Sequence, residues 1–210
     1  MATATLDQFN RLAPFYDHLA KIVFRGAIQK AHKHFIDKIP QGSRVLVLGG
    51  GTGNFLTELL KVPNVQVCFV DTSSVMLKFA KRRGENRNVK FIHGSVQSVP
   101  ADLKFNVIIT PFFLDLFSDR ALAEEIRKIN ARAESEEVLW LVSDFTDDAG
   151  WKRAFLWVMY GFFRITCGLQ TSALPAWHQA LSDQGLIEQQ VAFLYNGFIK
   201  TALYRRKTKC

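Results

Sequence analysis

Residues 45–55, VLVLGGGTGNF, set four glycines between a short apolar run and a helix-like segment. The run is brief and rich in β-branched residues, so it reads as a buried strand. Glycines after such a strand let backbone approach a ligand closely and aim helix N–H groups at it, so the stretch reads as a nucleotide cradle. Spacing narrows the ligand. The dinucleotide fingerprint G-x-G-x-x-G/A fails, because Asn54 takes the third place in the frame from Gly49 and Leu56 takes it from Gly51. A phosphate-binding P-loop fails too, with Asn54 and Phe55 where Lys and Ser/Thr belong after Gly53. What fits is G-x-G-x-G at Gly49, Gly51 and Gly53.

Working outward, the pattern alternates. Residues 5–39 are helix-like with an interruption at Pro14, and Pro40-Gln41-Gly42 closes them. After the first strand come a helix over about 54–61, the strand VQVCFV and a helix over 73–83. The strands VKFI and FNVIIT (105–110), a helix over 119–133 and the strand 137–143 follow. This β-α rhythm predicts an α/β, Rossmann-like fold: a seven-stranded, mostly parallel sheet with helices on both faces. LIEQQVAFLY and FIKTALYRR are strand-like runs joined around Tyr195-Asn196-Gly197, so the sheet should finish with an antiparallel hairpin. A single domain over 1–210 is expected. It divides into N-terminal helices (1–40), a core (41–145), a helical insertion or lid (146–185), and the hairpin with a basic tail (186–210).

The 210 residues suffice for one well-cored domain, with 48% hydrophobic and 22% charged residues. Cys68, Cys167 and Cys210 are scattered, which speaks against a disulfide or zinc framework. His32, His34 and His93 lack a convincing set of partner ligands, so no metal is expected. The opening MATATLDQFNRL has no secretory pattern, and a cytoplasmic location is expected. A net charge of +8 suggests an anionic partner, although its densest groups, 81–83 and 205–209, also suit a solvated basic surface.

Asp71 ends VQVCFVD twenty residues beyond Gly51, where an acid can accept hydrogen bonds from both ribose hydroxyls. The alternative is that Asp71 only caps the helix beginning near Ser73. With these residues in place, VLVLGGGTGNF, VDTSSVMLKFA, FIHGSVQSVP and FNVIITPFFLDLF resemble the successive motifs of class I S-adenosylmethionine-dependent methyltransferases. The opening FNRLAPFYDHLA resembles a segment of the ubiquinone/menaquinone-biosynthesis methyltransferase group.

The resemblance implies S-adenosylmethionine as cofactor. It puts Gly49, Gly51 and Gly53 near the methionine and ribose, Asp71 on the ribose hydroxyls, and Thr72 and Met76 near the adenine. It puts Val96 against the adenine through its backbone, Thr110 beside the methyl group, and Tyr16 over the methionine carboxylate. Two positions depart from the family. Val47 stands where an acid usually steadies the glycine loop, and Ser95 where an acid usually bonds the adenine amine; Ser95 can still hydrogen-bond, whereas Val47 cannot. Val47 therefore puts affinity in question more than identity.

Methyl transfer asks mainly for alignment, and no general base stands out. Asp115 and Asp144 fall at strand ends, and His18 and His178 are further candidates, each with capping or surface bonding as the alternative. The stretch 151–169, WKRAFLWVMYGFFRITCGL, has apolar residues round most of its circumference, with Lys152, Arg153 and Arg164 at the edges. Its apolar part, 154–163, is far short of the ~20 residues of a spanning helix. A core or dimer helix, a lid over an apolar acceptor and an interfacial membrane helix all remain open. Phe112 and Phe113 suit an apolar pocket wall.

The expected function is methyl transfer from S-adenosylmethionine to a small, apolar or aromatic molecule, with peripheral membrane contact left open. Nucleic-acid methylation is disfavoured, because no Asn/Asp-Pro-Pro-Tyr motif follows the fourth strand and no RNA-binding module is appended. A non-catalytic S-adenosylmethionine-binding protein is the other alternative.

Overall fold

Along β1 (Arg44–Leu48), Val45 and Val47 face one apolar core and Leu46 and Leu48 face the other. A strand buried on both faces belongs in the middle of a helix-covered parallel sheet. That is its place in the computed structural model, which describes residues 20–84, 88–134, 138–167, 171 and 173–206. The other strands are β2 (Gln66–Asp71), β3 (Val89–His93), β4 (Val107–Pro111), β5 (Leu139–Phe145), β6 (Leu186–Leu194) and β7 (Ile199–Arg206). They form one seven-stranded sheet in the order β3-β2-β1-β4-β5-β7-β6. The first five run parallel; β7 pairs antiparallel with both β5 and β6. The expected fold class, with its terminal hairpin, is the observed one.

Helices α1 (Ala27–Lys33), α2 (Leu56–Leu59), α3 (Ser74–Gly84), α4 (Asp119–Asn130), α5 (Gly150–Cys167) and α6 (Trp177–Asp183) complete the fold. Leu56 and Leu59 of α2 and Leu77 and Ala80 of α3 cover the Val45/Val47 face. The opposite face is covered by Leu122, Ile126 and Ile129 of α4 and Trp177 and Leu181 of α6. A third cluster joins Ala27, Ile28 and Ala31 of α1, Leu156 and Tyr160 of α5, and Phe145, Phe198 and Ile199.

The structure moves several expected boundaries. The helix after the glycines is one turn, Leu56–Leu59, shorter than expected. In the N-terminal region the described helix breaks at Arg25–Gly26, where both residues take positive φ (50° and 80°) and Gly26 precedes α1. The expected break at Pro14 lies outside the described residues. Strand β5 runs two residues later than expected at its end, which draws Asp144 inside it. The hairpin turn is made by Tyr195, Asn196 and Gly197, all at positive φ, closed by the Phe198 N–H donating to the Tyr195 carbonyl at 3.0 Å.

Candidate functional site

Gly49, Gly51 and Gly53 all adopt left-handed φ (67°, 57° and 71°), which explains the every-second-residue spacing. Their surroundings differ. A Cβ on Gly49 would come within 2.5 Å of the Phe113 ring, and one on Gly53 within 2.8 Å of Leu56 and 3.0 Å of Ala80. A Cβ on Gly51 would meet nothing within 4 Å, so the crest of the loop opens on free space while its feet are packed.

Asp71 reaches that crest from the end of β2. Its Oδ2 accepts the Gly51 N–H at 3.0 Å, and its Oδ1 accepts the Ser73 N–H at 2.8 Å. Burial raises its pKa, and those N–H donors oppose the rise. The capping alternative divides between two residues: Ser73 Oγ accepts the Met76 N–H at 3.1 Å at the start of α3, and Asp71 orients Ser73. Thr72 is half-buried, with its carbonyl 2.8 Å from His93 Nε2, and Met76 is buried.

Ser95 begins the turn 96–98, in which the Ser95 and Ser98 side chains exchange bonds with each other's backbone N–H. Val96 buries its side chain in the α4-side core, so only its backbone is left for a ligand. Thr110 lies one residue before the end of β4, and its Oγ1 accepts the Trp140 indole N–H at 2.9 Å. Its side chain is thus turned into the core, because a buried indole N–H needs an acceptor. Val47 is fully buried beside Phe69, Phe55 and Leu56. Tyr16 and His18 lie outside the described residues.

Asp144 departs from its expected place beyond the strand. It is buried, and its Oδ2 accepts the Leu114 and Asp115 N–H groups at 3.0 and 3.2 Å, holding the turn 114–116 that follows β4. Burial raises the Asp115 carboxyl to about 7. Burial and the neighbouring Asp115 together raise Asp144 well above the usual carboxylate range. Asp115 Oδ1 and the Tyr160 hydroxyl find no hydrogen-bond partner among the described residues. Both carboxylates push the Tyr160 pKa up, after burial itself.

Sequence reasoning passed over Tyr160 because it stands in an apolar run, and a lone tyrosine there was the only signal. It also treated His32 only as a metal ligand. The His32 ring packs 5.4 Å from Phe55 and 5.3 Å from Phe112, joining the glycine loop to the end of β4. Phe112 itself has φ 50°, a strained value for a bulky residue, and its ring packs at 4.9 Å, tilted by 50°, against Phe145. By contrast, His178 pairs with Glu188 of the edge strand β6 at 3.2 Å. No His/Cys/Asp/Glu group able to hold a metal occurs among the described residues.

Lys152 is a correction as well. It is buried, and its ammonium donates to Asp148, to Thr146 Oγ1 at 3.2 Å and to the Gly197 carbonyl at 2.8 Å, fastening α5 to the hairpin turn.

Residues 45–136 match a family of methyltransferase domains. The chain is 30% identical to a demethylmenaquinone methyltransferase of Thermotoga maritima over 161 residues, 74% of this chain and 66% of that protein. It is also 30% identical to a malonyl-[acyl-carrier protein] O-methyltransferase of Priestia megaterium, over 49% of this chain and 38% of the relative. The chain thus spans less than two thirds of the length of these curated relatives. Among solved structures it is similar to magnesium protoporphyrin IX methyltransferase from Synechocystis PCC 6803 with bound SAH. That likeness has a TM-score of 0.70 at 16% identity and covers 99% of this chain and 100% of the other.

Proposed function

From the premise that the chain carries a class I S-adenosylmethionine-dependent methyltransferase domain and resembles the ubiquinone/menaquinone-biosynthesis group, we propose that it transfers a methyl group from S-adenosylmethionine to a small, apolar or aromatic acceptor. The observation that carries the reading is the Gly51 crest, open above and tied from the side to a buried carboxylate. Backbone N–H groups, those of Gly51 and Ser73 among them, use part of the Asp71 carboxylate, and a remaining lone pair suits a ribose hydroxyl. Thr72 and Met76 then stand near the adenine, with the Val96 backbone and Ser95 on its far edge. Gly49 and Gly53 shape the loop by their packing, and the Thr110 backbone borders the reacting methyl.

The cofactor supplies a methyl group already activated on a sulfonium. The chain's task is alignment and exclusion of water. Phe112, Phe145 and the His32 ring provide an apolar wall beside the glycine loop, which favours an apolar or aromatic acceptor. The relatives named above act on different kinds of molecule, and this wall is what supports the apolar or aromatic reading for this chain.

Calorimetry with S-adenosylhomocysteine and NAD tests the cofactor. Binding of the first and silence with the second is expected; the reverse overturns the reading. Transfer of labelled methyl into a panel of quinols, phenols and carboxylates then tests the acceptor class. Labelling of carboxylates alone would reject the apolar or aromatic assignment.

A further inference from the structure

Helix α5 is packed on one side only. Leu156 and Tyr160 enter the core, whereas Trp157, Val158 and Ile165 are 76%, 61% and 88% exposed, with Trp151 and Phe162 beside them. At about 100° per residue, Trp151, Val158, Phe162 and Ile165 fall on one stripe, and Trp157 lies at its flank. Arg153 and Arg164, both exposed, are eleven residues apart. That spacing is about three turns, so they line the same edge, roughly 16 Å from one another and next to Trp157. The opposite edge carries Phe155, whose ring meets Phe24 at 6.0 Å. The helical residues around Phe24 expose Ile22 between Lys21 and Arg25. Cations therefore border the apolar face on one edge and accompany the segment packed on the other.

We propose that this face of α5 lies in the surface of an anionic lipid bilayer, with Trp151, Val158, Phe162 and Ile165 in the acyl boundary and Arg153 and Arg164 at the headgroups. A helix with a broad apolar face, interfacial tryptophans and a cationic border has the chemistry of an in-plane membrane helix. No described helix is long and apolar enough to cross a membrane, so docking is peripheral.

Charge separates this occupant from a second copy of the chain. The sequence of α5 contains no Asp or Glu, so a symmetric contact through this face would bring arginine rims together with no acid on either helix to neutralise them. Asp147 and Asp148 stand just before the helix, and Lys152 already engages Asp148. A net charge of +8 favours the anionic surface further. The inference is independent of the methyl-transfer reading, since it concerns only where the protein resides.

The test is co-sedimentation of the full chain with vesicles of phosphatidylcholine alone and of phosphatidylcholine mixed with phosphatidylglycerol. Binding to the mixed vesicles, weakened several-fold by high salt, is expected. Trp157→Ser with Ile165→Ser should reduce it at least tenfold, and Arg153→Glu with Arg164→Glu should reduce it several-fold. Both pairs change exposed side chains, and either can be read if the other fails to fold. Brominated lipid should quench the wild-type tryptophan emission, because Trp140 and Trp177 are buried and Trp151 and Trp157 are not. Wild-type protein left in the supernatant with both vesicles overturns the proposal. So does vesicle binding unchanged by the substitutions, or a dimer in light scattering that Trp157→Ser dissolves while vesicles bind nothing.

Discussion

Asp71 accepts the Gly51 N–H at 3.0 Å and so ties the end of β2 to the crest of the glycine loop. One carboxylate thereby holds the loop and orients Ser73 at the start of α3. Asp71→Ala should weaken S-adenosylhomocysteine by ten- to a hundredfold, about 1–3 kcal/mol for a lost charge-assisted bond. Because the loop loses its tie as well, the melting temperature should fall. Titration calorimetry and thermal melts on the same preparation read both effects, and unchanged affinity in a folded variant would confine Asp71 to orienting Ser73.

Gly51→Ala and Gly53→Ala should separate function from folding. Each forces a left-handed conformation on a residue with a Cβ, costing about 1–2 kcal/mol. At Gly53 the methyl also meets Leu56 and the Ala80 backbone, so that variant should lose more stability by a further ~1–3 kcal/mol. At Gly51 the methyl projects into open space, and the larger loss should be in cofactor affinity. Denaturant titrations with and without S-adenosylhomocysteine distinguish the two.

The buried Asp115–Asp144 pair gives stability a pH dependence of definite sign. Asp115 is raised to about 7 in the folded chain, so the folded state keeps a proton that the unfolded state releases near 3.8. Its contribution is full below the unfolded value and fades as pH rises through about 7. Wild-type protein should therefore melt lower at pH 8 than at pH 5. Asp115→Asn, which stays neutral, should flatten that slope and gain on the order of 4 kcal/mol at the alkaline end. Identical melting-temperature slopes in the two proteins would contradict this.

Val47→Asp should cost several kcal/mol, because an unpaired carboxylate would stand among Phe69, Phe55 and Leu56. Chemical denaturation measures the loss. A variant as stable as wild type, with tighter cofactor binding, would show that a carboxylate can turn from β1 toward the glycine loop.

The strand and helix order was legible because strands buried on both faces write continuous apolar runs, as in residues 45–48, and left-handed turns call for glycine. The place of Asp71 at the end of β2 was legible in the sequence, whereas its bond to the Gly51 N–H was not. Thr110 was less so, since its hydroxyl answers to Trp140, thirty residues away in sequence. Lys152 looked like a solvated edge residue, and only the approach of the 195–197 turn supplies the carbonyl that holds it inside. The Asp115–Asp144 pair needed the two-residue extension of β5, a boundary that periodicity does not fix. Such contacts come from tertiary packing, which local pattern does not record.

Strand β7 lies between β5 and the edge strand β6, so the open side of β5 is covered by residues made long after β5 itself. About 50 residues separate Phe145 from Ile199, which at ~5–20 residues per second is about 3–10 s of synthesis on the ribosome. Throughout that interval β5 carries a bare hydrogen-bonding edge flanked by Trp140 and Val142, the kind of edge that recruits strands from other chains. A nascent chain of this topology has an interval in which a chaperone, or a second nascent chain, can reach β5 before its own hairpin does.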